Sequence, residues 1–86
     1  MEFEYDPAKS TSNVAKHGID FEEAKQLLVD PDRLQVPART EGEHRFMLIG
    51  KIADRHWSAI FTLREERVRI VSVRRSRPDE VKAYED

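Results

Sequence analysis

Arginines cluster near the end of one predicted strand of this chain. Residues 64–77 contain six arginines and two glutamates, a local net charge of +4 in a chain whose net charge is −2. The guanidinium group is planar, stays charged at physiological pH and donates two parallel hydrogen bonds to phosphate oxygens. Arg64, Arg74 and Arg75 are therefore candidates for stabilising charge on a reacting phosphate. A salt bridge within the fold is the alternative interpretation for each of them.

A histidine closes the first predicted helix. His17 ends a helical segment that begins at Pro7 and is followed by Gly18. Because the unperturbed pKa of histidine lies near neutrality, His17 could act as a general acid or base. Alternatively, it could cap the helix by donating to the last free carbonyl groups.

Cleavage of RNA needs little more than these groups. The 2′-hydroxyl beside the scissile phosphate can attack it, if the protein aligns the two, stabilises the phosphate charge and moves two protons. Lys9 and Lys16 could hold a phosphate, or could keep the helix face hydrated. Asn13 could orient His17 across one turn, or bond to the end of a strand. Tyr84 could stack on a base or transfer a proton, or could anchor the last helix.

Several other classes of site are not expected. The chain has no cysteine, and its three histidines lack the spacing of metal ligands, so neither a metal nor a cofactor is predicted. No glycine-rich phosphate loop and no serine nucleophile motif is present. The acidic start and the absence of a long apolar window predict neither a signal peptide nor a membrane span, which favours a cytoplasmic location.

Local patterns predict the elements that must position these groups. Caps, prolines and apolar spacing set their limits. In chain order they are a strand at 2–5, a helix at 7–17, a helix between Asp20 and Asp30, strands at 34–36, 45–52, 57–63 and 68–75, and a short helix from Pro78. The expected fold of residues 1–86 is a single α+β domain. Its small, mainly antiparallel sheet packs with two N-terminal helices and a short C-terminal helix.

Strict alternation along the last strand assigns its arginines to faces. Arg74 then shares a face with Val68 and Ile70, whereas Arg75 shares the other face with Arg69. Adjacent strand residues point in opposite directions, so both arginines cannot enter one site unless the strand bends or ends there.

Three stretches of the chain resemble the BrnT family of toxins. They read K-H-G-I-D-F-E-E-A at residues 16–24, R-I-V-S-V-R at 69–74 and P-D-E at 78–80, with Arg45 and Ile49–Gly50 as further matches. The resemblance spans nearly the whole chain. It departs from the family at Tyr5, where members often have tryptophan, and in a less basic final helix.

This resemblance implies a RelE-like fold and a metal-independent ribonuclease that inhibits translation, the toxin half of a bacterial type II toxin–antitoxin pair. It also implies a BrnA-type antitoxin that binds the toxin, with operator DNA contacted only through that antitoxin. Residues and resemblance together give two sets of predicted site residues. The catalytic set is His17, Arg64, Arg74 and Arg75; the RNA-binding set is Lys9, Asn13, Lys16, Arg45 and Tyr84.

The charge distribution also fits other functions. Residues 1–43 have 5 basic and 10 acidic side chains, and residues 44–86 have 10 basic and 7 acidic ones. A basic half suits a nucleic-acid-binding or antitoxin-binding module without catalysis, or a degenerate toxin that only binds its antitoxin. An antitoxin segment would require a groove or a free strand edge, for which 34–36 and the strand beginning at Trp57 are the candidates.

Overall fold

The computed structural model describes residues 2–38 and 44–86. The sequence between Pro37 and His44 suggests a polar loop, of which only Ala38 lies within the described residues. The elements are β1 (Glu2–Glu4), α1 (Pro7–His17), α2 (Phe21–Ala24), a 3-10 segment (Lys25–Val29), β2 (Leu34–Pro37), β3 (Arg45–Ile52), β4 (Arg55–Arg64), β5 (Arg67–Arg75) and α3 (Pro78–Glu85). The predicted α+β class is confirmed.

The strands form one mixed sheet in the order β1-β5-β4-β3-β2. The last four strands in sequence form an antiparallel meander, because each is joined to the next by a connection that reverses the chain. The first strand instead lies parallel to β5, so the sheet is mainly but not wholly antiparallel. Its three residues pair only with Arg67–Arg69, which leaves the rest of the outer edge of β5 to α1.

Capping residues set the limits of α1. The Asp6 carboxylate accepts a hydrogen bond from the Ala8 amide at 2.9 Å, and Pro7 occupies the first turn, where no amide partner is needed. Gly18 ends the helix with a φ of 78°. This left-handed conformation is strained for residues that have a Cβ atom but not for glycine. Its amide donates to the Val14 carbonyl at 2.9 Å. The predicted bounds of this helix are confirmed.

The second predicted helix changes its winding halfway. Asp20 caps it through a 2.7 Å bond from the Glu23 amide, as its sequence position predicts. The α-helix ends at Ala24, and the remaining residues form the tighter 3-10 segment. Such winding is frequent where an α-helix ends. Phe21 and Leu27 are fully buried, so the apolar side of this region packs inward despite the change.

The core lies between these helices and one face of the sheet, the helix face. Its buried members come from the helical region and from β3, β4 and β5, and they are Ile19, Phe21, Ala24, Leu27, Leu48, Trp57, Ala59, Phe61, Val68, Ile70 and Val73. At its centre Gly50 allows β3 to approach the 3-10 segment, since a Cβ there would lie 2.9 Å from the Leu27 side chain. The α3 helix packs on the opposite face, where Glu80 contacts Ser58.

A β-bulge interrupts the pairing of β4 with β5. Ile60 lies opposite Ser72, but the next residue of β4, Phe61, lies opposite Ile70. Val71 is therefore an extra residue in β5, with no counterpart on β4. A single extra residue reverses the alternation of every side chain that follows it.

The bulge changes the faces of the two adjacent arginines. Arg74 lies opposite Ser58, on the face of α3. Arg75 lies opposite Trp57 on the helix face, and its guanidinium carbon is 5.5 Å from the centre of the indole ring. The face assignment made from the sequence is therefore wrong for both residues, because it assumed uninterrupted alternation.

Candidate functional site

Most of the arginines of β3, β4 and β5 share the face opposite the helix face. Residues paired across neighbouring strands point to the same side of a sheet. Arg64 pairs with Arg67, Arg69 pairs with Thr62, and Thr62 pairs in turn with Arg45. We call this surface the arginine face; its arginines are Arg45, Arg64, Arg67, Arg69 and Arg74. It is a broad positive surface suited to a polyanion.

The carboxylate of Glu4 stands beside two of these arginines. Its two oxygens lie 3.9 Å from the Arg67 and Arg69 guanidinium nitrogens. A charge-assisted hydrogen bond would be about 1 Å shorter. These partly exposed ion pairs therefore contribute little to stability.

Arg74 forms a tight ion pair with α3. Its two terminal nitrogens donate to the two Glu80 oxygens at 2.7 and 2.8 Å. Ser58 Oγ and the Arg77 amide also donate to that carboxylate, each at 2.9 Å. The Arg74 hydrogen bonds are the main reason why the pKa of Glu80 falls to about 2. This pair is the salt bridge that was the alternative interpretation of Arg74. It occupies both terminal nitrogens of the guanidinium group, which are the donors that would bind a phosphate.

The predicted catalytic arginines do not converge. Arg64 is on β4, and Arg74 lies opposite Ser58, six residues earlier on the same strand. At a strand rise of about 3.3 Å per residue, the positions of Arg64 and Arg74 are roughly 20 Å apart along the sheet. Arg75 lies on the helix face beside Trp57. A catalytic role for each of these arginines remains a prediction.

Three other predicted residues do come together. Lys9, Lys16 and His17 are exposed and line a cleft of about 170 Å³ between α1 and β5. We call it the α1 cleft; its lining is Lys9, Ser12, Asn13, Lys16, His17, Val71 and Ser72. The wall on β5 is the bulge itself. The cleft exists because β1 stops short and α1 lies beside the remaining edge of β5.

Asn13 is the structural link between the two walls. Its side chain is buried, and its amide nitrogen donates to the carbonyls of Ile19 and Val73, both at 2.8 Å. Its oxygen accepts from the Val73 amide at 3.1 Å. These bonds match the second role considered for Asn13 from the sequence, a hydrogen bond to a strand. Asn13 thus supports the α1 cleft from beneath, and contact between its side chain and RNA remains a prediction.

Tyr84 attaches α3 to the sheet. Its hydroxyl donates to Asp30 Oδ2 at 2.8 Å, and its ring packs edge-on to His56 with centroids 5.2 Å apart. Burial and the Asp30 carboxylate raise the pKa of Tyr84 to about 12. The phenol is therefore fully protonated near neutral pH. These contacts correspond to the anchoring alternative.

Two residues of the arginine face, Arg67 and Arg69, were not among the predicted site residues. The signal was present in the sequence as a spacing of two within β5, with Arg64 just across the hairpin turn. Arg45, predicted to bind RNA, lies in the same row as Arg69. The residues of the arginine face are brought together by the pairing register of the hairpins, and not by their proximity in sequence.

Two absences apply to the described residues alone. Over 2–38 and 44–86, no cluster of three or more histidine or acidic side chains has the arrangement of a metal site. None of the helices in these ranges has the length and apolar character needed to cross a membrane.

Comparison with known proteins gives one family. A search of curated proteins finds no match to the chain. A family model described as "Ribonuclease toxin, BrnT, of type II toxin-antitoxin system" matches residues 5–80, a range that includes the α1 cleft and the whole arginine face. With this match over most of its length, the chain belongs to the BrnT family of ribonuclease toxins, whose substrate is RNA and whose partner is an antitoxin protein.

Proposed function

We propose that this protein cleaves RNA at the α1 cleft without a metal ion, while the arginine face binds the flanking nucleotides. The observation that supports this best is the grouping of His17, Lys9 and Lys16 at the bulge of β5. It combines a group that can transfer protons near neutrality with two cations. These are the groups that attack by a 2′-hydroxyl requires.

The two surfaces adjoin at a single strand. Ser72 lines the α1 cleft and also lies opposite Ile60 on the arginine face. Among the strands that the structure describes, none pairs with the outer edge of β5 beyond Arg69. An RNA strand that crosses this edge could contact Arg69 on one side and the lysines of α1 on the other.

The proposed reaction is an internal transesterification. The 2′-oxygen forms a bond to the phosphorus as the bond to the 5′-oxygen breaks, which yields a 2′,3′-cyclic phosphate and a free 5′-hydroxyl. The 2′-hydroxyl loses a proton and the leaving 5′-oxygen gains one. His17 transfers one of these two protons, solvent water transfers the other, and Lys9 and Lys16 stabilise charge on the phosphate. Since the nucleophile belongs to the substrate, the chemistry requires no metal-bound water.

The biological proposal follows from this activity. Cleavage of cytoplasmic RNA inhibits translation, and an antitoxin of the BrnA type neutralises the enzyme by binding it. Operator DNA is contacted only through that antitoxin.

The test is cleavage of a mixed RNA in EDTA by purified protein free of antitoxin. We expect wild type to cleave and His17→Ala to cleave at least about 100-fold more slowly, the usual contribution of a general acid or base. His44→Ala is the matched control, because His44 is also exposed but does not line the cleft. Equal rates for the two variants would refute the assignment of His17.

One observation favours a second candidate, a binding module without catalysis. The three predicted catalytic arginines lie apart, and Arg74 is paired with Glu80. Intact RNA with folded wild-type protein, together with an affinity that falls steeply with salt, would select this candidate.

A further inference from the structure

An aliphatic stripe runs across the arginine face. Val36, Met47 and Ile60 lie directly opposite one another on β2, β3 and β4. All three are only half-buried, whereas Ile49, one row closer to α3, is buried. A sheet face with apolar residues is normally covered by another layer. Among the described residues, α3 provides that layer for the rows on one side of the stripe, where Glu80 meets Ser58 and Tyr84 packs on His56. The Arg74 guanidinium reaches the edge of the stripe, 3.9 Å from the Met47 sulfur.

Positive charge borders the stripe. The next row away from α3 contains Arg45, Thr62 and Arg69, paired across the same strands. Thr62 is only 2% exposed, whereas Arg45 and Arg69 are partly exposed, so the accessible groups of this row are the two arginines.

The chemistry of the stripe identifies its occupant. Its three side chains are aliphatic and offer no aromatic ring on which a base could stack. An apolar row beside arginines matches a protein segment with aliphatic residues on one side and carboxylates next to them. The stripe spans two strand spacings, roughly 10 Å, which is close to the rise of an α-helix between positions i and i+7.

We propose that an acidic amphipathic helix of the antitoxin packs on this stripe beside α3, and that its carboxylates pair with Arg45 and Arg69. This inference rests on the proposed function in one respect, that the arginine face also binds RNA. The helix would then exclude RNA from that face. Leu34 to Val36, where the sequence predicted antitoxin contact, forms the outer border of the docking surface.

The experiment uses a synthetic helical peptide of 18 residues, with leucine at positions i, i+3, i+4 and i+7 and glutamate beside them. Its binding to the full chain is measured by fluorescence anisotropy. We expect Val36→Asp to weaken binding at least tenfold. Gln35→Asp is the matched control, because Gln35 is adjacent, exposed and on the other face of the same strand, opposite Leu48.

Val36→Asp could lose binding because it misfolds, so urea unfolding followed by Trp57 fluorescence is measured for each variant. Val36→Ser is a milder substitution at the same position. It should weaken binding about threefold or more, because the apolar contact is lost without an added charge. A peptide with serine in place of leucine should bind at least tenfold more weakly. Three results would overturn the proposal: no binding of the peptide to wild type, equal binding by Val36→Asp and Gln35→Asp, or equal binding of the serine peptide.

This outcome is independent of the cleavage assay. Peptide binding is measured without RNA, so a failure of catalysis would leave the docking result unchanged. If RNA is cleaved in EDTA, added peptide should inhibit cleavage by wild type and by Gln35→Asp, but not by Val36→Asp.

Discussion

Replacing Glu80 by glutamine should strongly destabilise the fold. The side chain is 9% exposed and receives both terminal nitrogens of Arg74. Its pKa is lowered from 4.5 to about 2, chiefly by those hydrogen bonds. A difference of about 2.5 pKa units corresponds to about 3 kcal/mol of folding free energy. That value lies at the lower end of the roughly 3–5 kcal/mol lost when one partner of a buried ion pair is removed.

The effect should depend on pH with a definite sign. Because the folded pKa lies below the unfolded value, the stabilisation is complete above pH 4.5 and is lost as the pH falls towards 2. Glutamine resembles the protonated carboxyl group. The difference in unfolding free energy between wild type and variant should therefore shrink from about 3 kcal/mol at pH 7 to about 1 kcal/mol at pH 3.

Urea unfolding followed by tryptophan fluorescence measures this difference. Trp57 is the only tryptophan in the chain and is 7% exposed, so its emission reports loss of the core. Glu85→Gln is the control in the same helix, where the carboxylate is 53% exposed and pairs with His56. This exposed pair should contribute far less to stability than the pair of Glu80 with Arg74. Equal losses for the two variants at pH 7, or a difference that persists unchanged in acid, would refute the reasoning.

Three further substitutions test other contacts. Gly50→Ala would place a Cβ 2.9 Å from the Leu27 side chain, so urea unfolding should show a loss of about 1–3 kcal/mol. Asn13→Ala would leave the Val73 amide and carbonyl without their side-chain partner, and should cost about 2–3 kcal/mol while speeding hydrogen exchange at that amide. Tyr84→Phe should cost about 1–2 kcal/mol and abolish the tyrosine ionisation with a pKa of about 12 in an ultraviolet titration.

Short-range rules predicted much of the fold. Asp6, Pro7 and Gly18 give the limits of α1 because each acts within one turn of the helix end. The apolar pattern likewise predicted β3 over Arg45–Ile52 without error. Both patterns depend only on neighbouring residues, which the sequence displays directly.

Features that depend on distant partners were not predictable. The sequence left two roles open for Asn13, and its burial is decided by Val73, a partner that lies 60 residues away in the chain. The bulge at Val71 left no mark in the alternation and exchanged the faces of the arginines that follow. Within the candidate site, Lys9, Lys16 and His17 could be recognised as neighbours because they lie on one helix. The positions of the arginines depend on the hairpin register, which the sequence does not display.

The bulge at Val71 also decides which residue of β5 meets α3. If the bulge were lost while the hairpin kept its register, Val73 would lie opposite Ser58 and Arg74 would lie opposite Trp57. Glu80 would then face a valine, and its carboxylate would lose both guanidinium hydrogen bonds. Ser72 would replace Val73, which is fully buried opposite Ala59. The ion pair and the buried valine therefore both select the bulged alignment, and the extra residue in β5 contributes to the uniqueness of the native state.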